Sequence, residues 1–461
     1  MSGIAGIIYP EGRPVSPGAL ARMQSALAHR GPDGSEAWCG SGAGLVQLWL
    51  GTGPETRAPG LARLEGLLVA ADARLDNRQE LLQELGLSRD TPVPLLVAHA
   101  YRAWGADCVP RLDGDFALAV WDERERRLLC ARDRFGVRPL YYAFSPTGAF
   151  LFASEIKGVL AGGEVPRRLN ETRVVEYLTS SLDDTTATFY EGVRRLPPAH
   201  LLLFGPAGPR VESYWSLDPR KEAEGAPTEW PERFRSLFCQ AVRTRAGAPG
   251  PVGAMLSGGL DSSSIVSAAV TTAAPELHTF SAVFEGIPAA DERRYIEAVL
   301  REYPVPSHPV RVDRLSPLEE IEQALRDQDE PFYAPNLYVH RALYRAAAAQ
   351  GVRVLLDGLD GDTTVSHGLS RLTELARAGA WRQAAQEIRM LRARTGLSPA
   401  RLFLNRCVRP FLPGPFHSAW ARLRRRQLWG AHLLQPEVLT RAGRPRPAGD
   451  KPLPPLSARE E

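Results

Sequence analysis

The stretch PVGAMLSGGLDSSSIVSAAV holds the densest group of residues suited to anion chemistry. A short apolar run ends at Leu256, a Gly-rich turn follows, and helix-forming residues begin near Asp261. The first N–H groups of a helix lack internal partners, and the helix dipole favours an anion beside them. Gly258 and Gly259 let the backbone approach a phosphate closely, while Ser257, Ser262 and Ser263 offer hydroxyl donors. Asp261 stands where a carboxylate could hold Mg²⁺ against the phosphates. The lysine of a GxxxxGK[ST] loop is absent. SGG alone would read as a helix cap whose Ser and Asp serve only the backbone. The whole string from Leu256 through Leu260 to Ser263, set between strand and helix, favours the phosphate cradle.

Two further places could do chemistry. Ser2 follows the initiator methionine, and trimming of that methionine would leave a free α-amine able to act as base for the Ser2 hydroxyl. A small residue opening a buried strand is the alternative. The run LLDGLDGD places three aspartates after the apolar segment VRVLL, either as a polar turn or as a cation-binding loop. His278 and His308 have no partner suggested by their neighbours in the chain and read as structural or surface residues.

Elements of two kinds must position these residues. Before residue 216, GLLVAADARL, DFALAVWD, RRLLCARD, PLYYAFS and FLFASE are short apolar or alternating runs between turn residues. SPGALARMQSALAHR and TPVPLLVAHAYRAWG carry helical spacing. Stacked sheet and helix layers follow from that mixture. SLDPRKEAEGAPTEWPE is polar and rich in Pro and Gly, a linker. Beyond it VGAML, LHTFSAVF, HPVRV and VRVLLDG alternate with four helical runs, the pattern of a parallel α/β sheet. From about Ser370 the chain is helical and basic, ending in a Pro-rich tail too poor in apolar residues to build a core.

Composition excludes little but bounds the rest. A chain of 461 residues exceeds one core and suggests two or three domains. A net charge of +3 demands neither nucleic acid nor an anionic membrane as partner. The basic run ARLRRRQLW reads as a solvated helix face. Five scattered cysteines, odd in number and without CxxC spacing, argue against a disulfide framework or zinc site and fit a reducing cytoplasm. No apolar run approaches the ~20 residues a bilayer needs.

SGGLDSS, taken with RGPDG (Arg30 to Gly34), RDRFGVRPLYY (Arg132 to Tyr142), FLFASEIKGVL, LPPAHLL, ESYW and DEP (Asp329 to Pro331), resembles the asparagine synthetase family. The resemblance extends from residue 1 to about 370. It implies an α/β protein: an Ntn-type αββα sandwich of glutaminase type (1–215), a linker (216–230), a parallel-sheet ATP-pyrophosphatase (PP-loop) synthetase domain (231–370), and a helical, shortened C-terminal part (371–461). It also implies ATP and Mg²⁺, activation of a carboxylate as acyl-AMP with loss of pyrophosphate, and attack by an amine or ammonia. ATP would contact Leu256 to Ser263, backbone groups of Phe280 to Ala282, and Asp357 with Gly358. Asp261 and Asp362 fall on the metal-binding aspartates. The loop's family glutamate meets Leu359, with Asp360 one place on as a stand-in. The resemblance also allows a homodimer.

Departures from the family narrow the expectation. Members that hydrolyse glutamine have cysteine where this chain has Ser2. Their NGE-x-x-N stretch corresponds to Asp72, Ala73, Arg74, Leu75, Asp76 and Asn77, and an aspartate cannot donate to an oxyanion. The sandwich is therefore expected to be an inactive relic, and a substrate amine to be the nucleophile. LLDGLDGDTTVSHGLSRLTELARAGAW resembles the isopeptide-forming cyclases of lasso peptides, which would act on a precursor peptide alongside its leader peptidase. Glutamine-hydrolysing asparagine synthetase and an inactive nucleotide-binding scaffold are the alternatives. The family's synthetase domain carries a lysine near its C-terminus, whereas Lys451, in DKPLPP, is the only lysine after Lys221. Slow or absent turnover is the expectation from that.

Overall fold

The computed structural model describes residues 1–52, 60–180, 184–218, 224–226, 228–247, 250–272, 276–332, 334, 336–359, 361, 369–395, 397–412 and 435–441. Its contacts divide into two units, Met1–Arg173 with Leu182–Asp357 and Val174–Ser181 with Gly358–Glu461.

The first unit begins with twelve strands: β1 (Gly3–Ile8), β2 (Gly34–Cys39), β3 (Ala43–Trp49), β4 (Ala62–Leu64), β5 (Leu67–Leu75), β6 (Gly114–Asp122), β7 (Arg127–Arg132), β8 (Tyr141–Phe144), β9 (Phe150–Ala153), β10 (Val193–Arg195), β11 (His200–Gly205) and β12 (Gly208–Ser213). They form two antiparallel six-stranded sheets, ordered β10-β8-β9-β1-β3-β2 and β12-β11-β7-β6-β5-β4. Strand β6 explains the layering. Ala117, Ala119 and Trp121 meet Ile4, Ile8 and Phe152 of the facing sheet, whereas Phe116, Leu118 and Val120 face the helices. Side chains alternate along a strand, so a strand apolar on both faces must be covered twice. Helices α1 (Pro17–Ala26), α2 (Arg78–Glu84), α3 (Val93–Trp104) and α4 (Ile156–Ala161) supply the outer covers. Leu20 and Val159 pack on the first sheet, Leu81 and Val97 on the second. The result is an αββα sandwich. Helix α5 (Glu171–Leu178) follows it in the chain.

Helix α6 (Trp230–Ala246) leads into strands β13 (Val252–Met255), β14 (Leu277–Val283), β15 (Ser307–Arg311) and β16 (Val354–Leu356), with α7 (Leu260–Thr272), α8 (Arg293–Glu302), α9 (Ile321–Gln328) and α10 (Leu337–Ala349) between them. The strands form one parallel sheet, ordered β15-β14-β13-β16. Val242, Val266 and Ile296 pack with β13 residues Val252 and Ala254 in one apolar cluster, while Leu343 and Ala347 pack with Met255 and Phe280 in another. Helices thus contribute to two cores around a parallel sheet, as βαβ connections require. In the second unit, Leu372, Leu375, Ile388, Leu402 and Cys407 gather helices Ser370–Arg377, Trp381–Thr395 and Pro399–Phe403 into a small helical core.

Among the described residues no helix is long and apolar enough to cross a membrane. The sequence gives no partner to His278 or His308, but the fold makes them each other's. Their rings stack at 5.2 Å on neighbouring strands with Nδ1 of His278 3.0 Å from Nε2 of His308. Phe280 stacks on His308 in turn.

Candidate functional site

At the carboxyl end of β13 the chain makes the turn that the glycines foretell. Gly258 adopts φ +81°, a conformation that L side chains rarely take, and an added Cβ would lie 2.5 Å from Cβ of Tyr295 on α8. Only glycine fits there. The turn is braced from within. Ser262 Oγ, accepting from the Ser257 N–H at 3.2 Å, also lies 3.1 Å from Ser257 Oγ and donates to the Gly259 carbonyl. Ser257 Oγ accepts from the Gly259 N–H at 3.3 Å. Ser257 and Ser262 therefore hold the loop's shape, and Ser262 is buried.

Ser263 differs. Its Oγ is buried and makes no hydrogen bond. A buried unpaired hydroxyl costs ~1–3 kcal/mol, and at the first turn of α7 it is a donor that a ligand oxygen could satisfy. Asp261 in the same turn is half-buried, with no ion-pair or hydrogen-bond partner among the described residues. Leu260 is 87% exposed, which leaves the approach to the helix start open.

Ala282 completes this side of the site. The Leu256 N–H donates to the Phe280 carbonyl at 3.0 Å, so Phe280 turns its backbone groups towards β13. Backbone groups alternate sides along a strand, and those of Ala282 face the same way. The last β13 pair is Met255 with Phe280, so Ala282 lies beyond the pairing, beside the glycine turn. An adenine edge could use its N–H and C=O. Asp357 follows β16 at the same end of the sheet. Gly358 accepts from the Gly361 N–H at 3.2 Å, closing the turn after it. Asp360 and Asp362 lie outside the described residues, as does Lys451.

The loop fits a nucleotide on its own features: an orphaned hydroxyl, a glycine cradle and open backbone groups at a helix start. For Mg²⁺ the donor set in view is narrower. Among the described residues no three His, Cys, Asp or Glu side chains gather as a metal site. Among the described residues, Asp261 at the start of α7 could reach a cation held on phosphates.

The surroundings of Ser2 are built in the opposite manner. Its Oγ accepts from the Leu50 N–H at 3.1 Å, and its carbonyl accepts from Arg30 Nε at 2.7 Å. Arg30 then donates to Glu155 at 2.6 Å and to Asp72 at 3.3 Å, while Arg138 pairs with the other oxygen of Asp72 at 3.3 Å. Asp72 is 1% exposed. It lies between two guanidinium groups, with both its oxygens engaged by them. Burial would raise the Glu155 carboxyl, but hydrogen bonds from His29, Lys157 and Arg30 prevail and hold it down at about 2. Burial lowers the Met1 α-amine to about 6, with Asp72 pulling the other way.

The remaining residues aligned with NGE-x-x-N are engaged as well. Arg74 donates to the carbonyls of Thr244 and Arg245 at the end of α6, and Asp76 accepts from Arg245 at 3.0 Å. Asn77 donates to the Arg111 carbonyl and accepts from the Asp113 N–H. All five cysteines are free, and burial pushes the Cys108 thiol up to about 12 and that of Cys130 higher still.

Sequence reading left several motifs without a task, and the structure supplies one. Asp33 of RGPDG takes two hydrogen bonds from Arg353, ahead of β16, at 2.5 and 2.8 Å. Those bonds, with the Gly51 N–H, hold its carboxyl at about 2. Asp329 of DEP accepts from the Lys157 N–H at 2.9 Å and pairs with its ammonium at 3.4 Å. Glu330 accepts from the Phe189 N–H and from Arg195. These motifs join the sandwich to the parallel-sheet part of the same unit. Their signal in the sequence was position in the motif order, which says nothing of partners.

A sandwich of this architecture, followed by a parallel sheet with SGGLDSS at the carboxyl end of its inner strand, defines an amidotransferase-type domain fused to an ATP-pyrophosphatase domain. The comparisons agree. Residues 1–215 match the glutamine amidotransferase domain model and residues 233–448 the asparagine synthase model. The chain is 31% identical over 337 residues to asparagine synthetase [glutamine-hydrolyzing] 3 of Bacillus subtilis, covering 68% of this chain and 54% of that protein. It is 30% identical over 391 residues to putative asparagine synthetase [glutamine-hydrolyzing] 2 of Methanocaldococcus jannaschii, covering 78% and 74%. A protein named amidase chry2 from Gibberella zeae is 29% identical over 368 residues, covering 73% and 53%. The chain thus belongs to the asparagine synthetase family, and it spans about half the length of two of these three relatives.

Proposed function

We propose that this protein is an ATP-dependent, AMP-forming amide synthetase whose nitrogen donor is a substrate amine. In this reading a carboxylate oxygen attacks the α-phosphorus of ATP, and pyrophosphate leaves. The amine then attacks the acyl carbon, loses a proton, and AMP departs with the bonding electrons. The N–H groups and the free Ser263 hydroxyl of the SGGLDSS loop would take the pyrophosphate oxygens, and Ala282 the adenine edge. Asp261, with Asp362, would hold Mg²⁺, which when bound supplies positive charge against the leaving pyrophosphate. The observation that carries the reading is the loop itself, whose buried hydroxyl and helix-start carboxylate have no partner among the described residues.

The relatives' names favour a second reading, a glutamine-hydrolysing asparagine synthetase. Against it stand Ser2 in place of the family's cysteine and Asp72 bound between Arg30 and Arg138. Within the amine-dependent reading, the run LLDGLDGDTTVSHG favours a peptide substrate that supplies both the carboxylate and the amine, as in isopeptide-ring closure.

Pyrophosphate release with Mg-ATP separates these readings. Candidate precursor peptides bearing an N-terminal amine and an acidic side chain should stimulate release. Aspartate with glutamine should not, and glutamine alone should yield no glutamate. Glutamate release that disappears in Ser2→Ala would overturn the proposal in favour of the second reading.

A further inference from the structure

The polar contacts around Arg245 go beyond holding two domains together. Helix α6 has two faces in its last turns. Val242 and Ala246 lie in the apolar cluster that contains Val252, Ala254 and Leu256 of the β13 segment and Val266 and Ala269 of α7. Arg245, between them in sequence, turns the other way. It donates to both carboxylate oxygens of Asp115 on β6, one of them at 3.1 Å, and to Asp76 at 3.0 Å. Arg74 closes the arrangement by donating to the carbonyls of Thr244 and Arg245. Carbonyls at a helix C-terminus lack internal partners and carry the negative end of the dipole, so a guanidinium from another domain is a suitable cap.

We propose that Arg74, Asp76, Asp115 and Arg245 form a latch through which the sandwich positions the pyrophosphate loop, with Arg245 as a positioning residue. Five residues separate Ala246 from β13, and β13 runs directly into SGGLDSS. A helix end held on one side by polar contacts and on the other by the core sets where that strand begins. Arg74 and Asp76 occupy positions of the degenerate NGE-x-x-N stretch. In this chain, then, the residues that replaced a glutamine-binding stretch serve the other domain. The latch's nucleotide arm rests on the reading of SGGLDSS as the ATP loop, so its test has a second arm free of nucleotide.

The experiment uses the full chain, its Arg245→Ala and Arg245→Lys variants, and two readouts. Amide hydrogen exchange without nucleotide follows residues 252–263, with strand β3 (Ala43–Trp49) of the other sheet as the internal reference. Calorimetric titration with Mg-ATP follows affinity. Arg245→Ala should speed exchange across 252–263 about tenfold and weaken Mg-ATP about fivefold. Exchange across 43–49 should stay as in the parent, and Arg245→Lys, which keeps the charge but not the fork onto Asp115 and Asp76, should recover part of both effects. A folded Arg245→Ala chain with parental exchange at 252–263 overturns the latch. So does failure of Arg245→Lys to recover either effect. If the parent chain does not bind Mg-ATP, the nucleotide reading falls and the exchange arm alone decides the latch. Should Arg245→Ala not fold, Asp76→Asn is measured the same way, with about a twofold rise in exchange expected and no rise overturning the proposal.

Discussion

The Ser2 pocket and the SGGLDSS loop both carry serines and a carboxylate, yet one is closed upon itself and the other is open. In the pocket Ser2 pairs with Leu50 and Arg30, Asp72 with Arg30 and Arg138, and Glu155 with His29, Lys157 and Arg30. In the loop, Ser263 Oγ is buried with no hydrogen bond. Asp261 likewise has no partner among the described residues. A buried network whose charges pair with one another resists change. An unsatisfied hydroxyl beside a helix start has the reverse character. By type Ser2 could be a nucleophile, whereas Asp72 cannot donate to an oxyanion; in the structure both are engaged within the protein.

The largest test of this contrast removes the pocket's central carboxylate. Asp72→Leu leaves the Arg138 guanidinium, 16% exposed, without its counter-charge and Arg30 with one fewer acceptor. Breaking a buried pair from one side costs about 3–5 kcal/mol. Chemical denaturation should show a loss of that order with the m-value unchanged. A loss below about 1 kcal/mol would mean that Asp72 is not a structural ion and would reopen the pocket to ligand chemistry.

An intermediate effect is expected in the loop. Asp261→Asn keeps the shape and removes a charge that has no ion-pair partner among the described residues. Apparent Mg-ATP affinity should fall about tenfold or more, while stability without nucleotide stays within about 0.5 kcal/mol. Calorimetric titration beside denaturation curves reads both. Unchanged affinity would break the assignment of the loop as the open site.

The smallest effect should come from Ser2→Ala. It deletes one acceptor for the Leu50 N–H, worth about 1 kcal/mol, and should leave Mg-ATP binding and pyrophosphate release at parental levels. A large loss of either would make Ser2 more than a residue of the strand's edge.

Much of this molecule is local and therefore legible in the chain. Period-two apolar runs become strands, as DFALAVWD does in β6, and the three-to-four spacing of PLLVAHAYRAW becomes α3, because both depend on residues a few places apart. SGGLDSS belongs to the same class. Its glycine turn, its helix start and its serines all lie within eight residues of Leu256. The family could be recognised because such motifs survive as short strings.

What folding alone decided concerns charge. Arg30 is 42 residues from Asp72 and 125 from Glu155, and Arg245 is 130 from Asp115. A charged side chain at the surface and one buried in a network look alike in sequence. The choice between them is made by strand register and domain packing, which bring partners within about 3 Å or leave them in water. That is why Asp72 reads in the sequence as a lost oxyanion donor and in the structure as the centre of an ion network. For the same reason Arg74 and Asp76 read as a decayed binding motif until α6 is seen held against them.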